Sequence, residues 1–195
     1  MDKNGSNGTL NMQSKTAKLT KLAMLTALSM VLMAAFKMIP GLGQIFSFGP
    51  GGFLEYDPAD IPIFIGTFAF RPVGGLVMTV IVSLFQVVTF SAGSGPYGFL
   101  MHVIATGSFV IVAGNIYQVT KTKKGAIVAL IMGTITMTAV MIPANLFITP
   151  LFFGMPRDAV YPLLPIIAAF NLGKAGFNSV ITLLLYKSIS RFLHK

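Results

Sequence analysis

The chain contains no cysteine and no tryptophan, and only two histidines and five acidic residues among 195. Without cysteine there can be no disulfide, no thiolate nucleophile and no cysteine-ligated metal. His102 and His194 lie far apart in sequence, which argues against a histidine metal centre. Charge is scarce as well. Charged residues make up 10% of the chain, where a soluble domain carries about 25%. Hydrophobic residues make up 54%, and the mean hydropathy is +0.80. The phosphate-binding pattern G-x-x-x-x-G-K-[ST] is absent, as are G-x-S-x-G and H-E-x-x-H, so no catalytic apparatus is legible and the chain is not read as an enzyme. The net charge of +9 does not indicate nucleic acid, because the basic residues cluster at the ends of apolar segments.

Those apolar segments approach or exceed the roughly 18 residues that suggest a membrane span. Six are expected: about 19–38, 57–71, 72–90, 97–119, 125–149 and 161–186. The second is short, since its apolar core, 61–70, covers only about 15 Å as a helix. Joining it to the third would leave five spans. Charge parity favours six, because Lys15–Lys21, Arg71, Lys121–Lys124 and the C-terminal basic residues then share one side, the cytoplasmic one. The expected architecture is therefore an all-α integral membrane protein, a six-transmembrane-helix bundle with a long extracellular loop after helix 1. Residues 1–18, polar and rich in Gly, Ser, Thr and Asn, are expected to be a disordered cytoplasmic lead, with the membrane domain over 19–195. The apolar run that follows the lead is too long for a signal-peptide core and is read as a retained helix.

The first loop, IPGLGQIFSFGPGGFLEYDPAD, interleaves glycines with Phe46, Phe48 and Phe53. Glycine lets backbone approach a ligand closely, and aromatic rings offer it flat surfaces. A loop of this length beside a bundle reads as a lid, with Phe48, Leu54 and Tyr56 as candidate contacts. At its end, Asp57, Pro58 and Asp60 have the spacing of a helix cap and capping-box acid. Cation binding by Glu55, Asp57 and Asp60 is the alternative. Ala23 and Ala27 form a small-xxx-small pair on the first span, a pattern that permits close approach of another helix.

The most informative stretch is LLPIIAAFNLGKAGFNSVITLLLY, residues 163–186, with Lys174 in its middle. A charge near the bilayer midplane costs about 3 kcal/mol or more, so it needs a reason to be there. Asn171 precedes Lys174 by three residues and Asn178 follows it by four, so all three share a helix face. That polar stripe suggests a polar ligand between helices. The competing reading is an interhelical hydrogen-bond seam. A ligand role for Lys174 carries the expectation that its replacement by methionine leaves folding intact.

LEYDPADIPIFIG followed by RPVGGLV, SGPYGFLMHVIATGSFVIVAGNIY, MIPANLFITPLFFG and AFNLGKAGFNSVITLLLYKSIS together resemble the riboflavin-specific S component of energy-coupling factor (ECF) vitamin transporters. The resemblance runs from about Lys18 to the C-terminus. It implies a multi-pass bacterial cell-membrane protein with both termini cytoplasmic and a first-loop lid. It also implies a membrane coupling subunit docked on Ala23 and Ala27, and two ATP-hydrolysing subunits. The vitamin contacts it implies fall on Asn145, Asn171 and Lys174. The family often has Pro-Phe-Asn-Leu-Ile-Lys-Gly where this chain has Ala-Phe-Asn-Leu-Gly-Lys-Ala, and His102 stands where Met-Asn is common.

Riboflavin suits such residues. Its ring edge alternates donors and acceptors, which an asparagine amide can match, and an ammonium can donate to its carbonyls or hydroxyls. The vitamin is expected as a transported ligand; no cofactor is expected. Three other readings stay open at this point: an S component for folate, thiamine or a deaza-purine precursor, a membrane enzyme acting on lipid, and an assembly subunit.

Overall fold

The computed structural model describes residues 3–39, 42, 54–90 and 94–193, with side chains over 15–39, 42, 54–90 and 94–185. Among the described residues the fold is all-helical. Helix α1 is Lys3–Met38, α2 Asp60–Thr89, α3 Gly95–Thr120, α4 Lys123–Phe153 and α5 Leu164–Leu193. Two single 3-10 turns, Arg157–Ala159 and Tyr161–Leu163, lead into α5. Helix α1 begins at Lys3, inside the polar lead, and its apolar part is Lys15–Met38. Five helical stretches are long and apolar enough to cross a membrane: Lys15–Met38, Asp60–Thr89, Gly95–Thr120, Lys123–Phe153 and Arg157–Leu185.

The second and third expected spans both lie within α2, which is not one straight rod. Phe70 (φ −118°, ψ 16°) and Arg71 (φ 70°, ψ 170°) leave helical geometry. The cause is local. A residue before proline is pushed out of the helical region, and Pro72 follows Arg71. Arg71 takes a positive φ that is uncommon for a non-glycine residue. Its Nε donates to Gln118 Oε1 at 3.2 Å. The two arms then fold back on one another. A methyl on Gly66 would overlap the Met78 sulfur, and one on Gly75 would overlap the Thr67 hydroxyl. Residues eight and twelve apart on a straight helix are separated by about 12 and 18 Å, so these contacts require a reversal at Phe70–Arg71. The bend itself seats on α3, where a Cβ on Gly114 would meet Pro72 Cγ and Thr67 Cγ2 at 2.8 Å.

Other boundaries follow their residues. Lys121 closes α3 in the left-handed conformation (φ 43°), its N–H donating to Tyr117 O at 2.9 Å. The Thr122 hydroxyl then caps α4 by accepting from the Gly125 N–H at 3.0 Å, as N-cap threonines do. Gly154 (φ 64°) ends α4, a position where glycine carries no Cβ penalty.

The core lies along α2, α3 and α4. Phe64 and Phe109 stack at 3.6 Å with planes 8° apart, and Gly133 lets α4 close over Phe109, where a Cβ would come within 2.8 Å. Met33, Ile63, Met78 and Val82 fill the space between α1 and α2. Buried hydroxyls within the helices turn back to carbonyls four residues earlier, as Thr67 does to Ile63 O and Thr79 to Gly75 O, both at 2.8 Å. The outside is apolar too: Val73, Val88, Val119 and Leu184 are at least 72% exposed. Such a surface suits hydrocarbon rather than water.

Candidate functional site

The C-terminal ends of α1, α2 and α4 and the N-terminal parts of α3 and α5 gather around a cavity of about 240 Å³. Segment 54–57 closes one side of it, through Leu54, Glu55 and Asp57. Most of the wall is apolar or aromatic, including Met101, Met141, Ile148, Phe152 and Phe170. Asn145, Asn171, Lys174, His102, Gln86 and Thr149 are among its polar groups, together with Lys37 and Ser94 and the acids of segment 54–57. An apolar cleft with a few placed polar anchors is the usual form of a small-molecule site.

Asn145, Asn171 and Lys174 therefore come together at one cavity. Asn145 is fully buried; its Nδ2 donates to Met141 O at 2.8 Å and its Oδ1 accepts from Thr149 Oγ1 at 2.9 Å. Asn171 donates through Nδ2 to Ile167 O at 2.8 Å. Each amide still has a further donor or acceptor position for a ligand edge. Lys174, 8% exposed, places Nζ 3.2 Å from Asp60 Oδ2. That oxygen makes no hydrogen bond of good geometry, so charge attraction to the ammonium is what satisfies it. Asp60 Oδ1 accepts from Thr106 Oγ1 at 2.7 Å and lies 3.2 Å from His102 Nε2. His102 Nδ1 in turn lies 2.9 Å from Gln86 Oε1.

Asp60 is thus not a capping-box acid. Helix α2 starts at Asp60 itself and its N-cap, Ala59, has no side-chain cap. Asp57 instead holds the entry turn, its Oδ1 accepting from the Ala59 N–H at 2.8 Å. Rather than capping the helix, Asp60 is wholly buried in an ion pair with Lys174. Among the described residues no three His, Asp or Glu side chains converge to hold a metal ion, so the grouping of Glu55, Asp57 and Asp60 as a cation site has no geometric support. Glu55 pairs with Lys37.

Asn178 takes a different role from its stripe neighbours. Tyr56 OH donates to Asn178 Oδ1 at 2.6 Å, and Asn178 Nδ2 donates to Asp57 O at 3.2 Å. One amide thereby clasps segment 54–57 onto α5. Tyr56 is 3% exposed, lies edge-on to Phe36 and Phe177, and is not among the cavity-lining residues. Burial, aided by Asp60 and Asp57, pushes its phenol well above the ordinary tyrosine range, which keeps it a hydrogen-bond donor. Leu54 lines the cavity. Phe48 lies outside the described residues, as do Phe46, Phe53 and the loop glycines between them. Ala23 and Ala27 are exposed on α1, away from buried Thr26 and Ser29.

Asp60, His102, Gln86 and Thr149 were missed as site residues. The four-residue spacings His102–Thr106 and Asn145–Thr149, polar pairs on one helix face amid apolar sequence, were the available signal.

Residues 17–186 match the family described as ECF transporter, substrate-specific component. The chain belongs to that family. Among similar proteins, the riboflavin transporter RibU of Staphylococcus aureus (strain TCH60) is 32% identical over 193 residues, covering 95% of this chain and 96% of that one. The riboflavin transporter FmnP of Bacillus subtilis (strain 168) is 27% identical over 128 residues, 65% of this chain and 63% of its own. RibU of Streptococcus thermophilus is 25% identical, covering 93% and 87%. A solved structure of the S component of a bacterial ECF transporter superposes with a TM-score of 0.75 at 29% identity, over 93% of this S component and 99% of that chain.

Proposed function

We propose that this chain is the riboflavin-capturing subunit of an ECF-type uptake transporter in a bacterial cell membrane. The carrying observation is that Asn145, Asn171 and Lys174, from α4 and α5, converge on one largely apolar cavity, in a family whose similar members are named riboflavin transporters. In this reading the asparagine amides meet the ring edge, the Lys174 ammonium donates to a carbonyl or hydroxyl, and Leu54 with Phe152 and Phe170 covers the apolar ring. The first loop, with Phe48, serves as the lid from the extracellular side. Transport needs a coupling subunit on the exposed Ala23 and Ala27 and ATP-hydrolysing subunits beyond it.

The reading carries six membrane crossings. It is supported by the reversal at Phe70–Arg71, which makes two antiparallel arms of α2, and by the grouping of basic residues that results. Both termini then lie in the cytoplasm.

The direct test is the purified protein itself. Co-purifying riboflavin colours it yellow, and released ligand is identified by absorbance and mass. A colourless protein that does not quench the fluorescence of added riboflavin refutes the assignment. Docking is tested separately: Ala23→Trp with Ala27→Trp keeps flavin binding and abolishes transport, since close helix approach needs small side chains.

A further inference from the structure

We infer that Asp60 is a positioning residue for the ligand, acting only through the Lys174 ammonium. This rests on the riboflavin reading of the cavity. Asp60 is wholly buried and is not among the cavity-lining residues, so it does not itself meet the ligand. Lys174 does line the cavity, and its Nζ sits 3.2 Å from Asp60 Oδ2. An ammonium has three N–H groups. One carboxylate oxygen takes at most part of that capacity, and the remainder is available to the cavity. The carboxylate is itself held on its other oxygen, by Thr106 Oγ1 at 2.7 Å and His102 Nε2 at 3.2 Å. Both come from α3, whereas Asp60 opens α2 and Lys174 belongs to α5. Three helices thus fix one flexible lysine.

The alternatives for that lysine explain why fixing matters. A lysine stem has four rotatable carbons and a strongly hydrated head. Without Asp60 the buried ammonium would turn toward any other acceptor within reach. Asp57 lines the same cavity, and its Oδ2 is buried without a hydrogen-bond partner. Positioned donors lose little on binding because their orientation is set beforehand. Asp60 therefore contributes to affinity exactly as far as Lys174 is present to be positioned, and no further.

A double-mutant cycle reads this dependence. Riboflavin affinity is measured by fluorescence quenching for the full chain, Asp60→Asn, Lys174→Met and the double variant. Asp60→Asn is expected to weaken binding about tenfold, which corresponds to about 1.4 kcal/mol, and to change it by less than about threefold when Lys174→Met is already present. Equal fold-losses in both backgrounds overturn the inference, because Asp60 would then act on the fold and not through the lysine. Should Asp60→Asn not fold, Thr106→Val loosens the carboxylate and leaves the ion pair; its smaller loss must likewise vanish in Lys174→Met. A second arm needs no flavin. Acetic anhydride labelling of Lys174, followed by peptide mass, is expected to speed up several-fold in Asp60→Asn relative to the other lysines, since the amine no longer has to leave its carboxylate. A rate unchanged both in Asp60→Asn and in Asp60→Asn combined with Asp57→Asn, where no neighbouring carboxylate is left to re-pair the amine, overturns the inference. A wild-type chain that ignores riboflavin while Asp60→Asn speeds labelling refutes the ligand reading alone.

Discussion

Lys174 and Asn178 stand one turn apart on the same stripe of α5, and the structure uses them in opposite ways. Lys174 faces a cavity and shares its charge with Asp60. Asn178 is sealed, with Tyr56 OH on one side of its amide and Asp57 O on the other. A polar group in a membrane bundle can thus be kept for a ligand or consumed by a clasp. The difference lies in what the neighbouring segment brings. Asn178 is wholly buried with both ends of its amide bonded to segment 54–57, whereas Lys174 has a single ion pair, to Asp60, at the cavity wall.

The largest expected effect comes from breaking the ion pair. Lys174→Met leaves Asp60 buried with Thr106 and His102 but without its lysine. Removing one partner of a buried pair costs about 3–5 kcal/mol of stability. The sequence alone suggested that this variant would fold at least as well; Asp60 reverses that expectation. Thermal unfolding in detergent should show Lys174→Met well below wild type and the double variant with Asp60→Asn partly restored. In riboflavin titrations both should bind about ten- to a hundredfold more weakly.

Breaking the clasp should act mainly on stability. Asn178→Leu removes the acceptor of the Tyr56 hydroxyl bond and the donor to the Asp57 carbonyl, at about 1–3 kcal/mol apiece. Riboflavin affinity should fall less than in Lys174→Met. A variant with normal unfolding and a Lys174-like loss of affinity would erase the contrast between the two positions. Tyr56→Phe sharpens it further. It removes one donor and keeps the ring contacts with Phe36 and Phe177, so a loss of about 1 kcal/mol in stability is expected.

The smallest effect has the opposite sign. Gly173 lies between Asn171 and Lys174 of α5, and nothing stands within 4 Å of where its Cβ would be. Gly173→Ala should stabilise the helix by about 0.5–1 kcal/mol and leave flavin affinity unchanged. A change in affinity would show that helix flexibility at Gly173 serves the site.

The polar stripe of α5 was legible because three- and four-residue spacing dictates a shared helix face. The Asn145 position was carried by family resemblance, and the structure sets it beside Thr149 and Asn171 at the cavity. Asp60 was misread because its spacing from Asp57 satisfies a capping pattern equally well, and local pattern carries no information on where a carboxylate points. The break at Phe70–Arg71 was half legible: Arg71 before Pro72 marked a boundary, but the packing of Gly66 against Met78 is what shows the chain reversing there.

By itself the sequence determined the apolar runs of the helices, the boundary at Lys121–Gly125, and the residues that share a face on α5. These depend on backbone geometry and on the nearest few side chains. Only the tertiary structure decided that Lys174 meets Asp60, that Asn178 meets Tyr56, and that α1 to α5 enclose a cavity. Helical periodicity states which residues lie on one side of a rod; it does not state which rod lies opposite, and a buried charge or amide acquires its role from that neighbour.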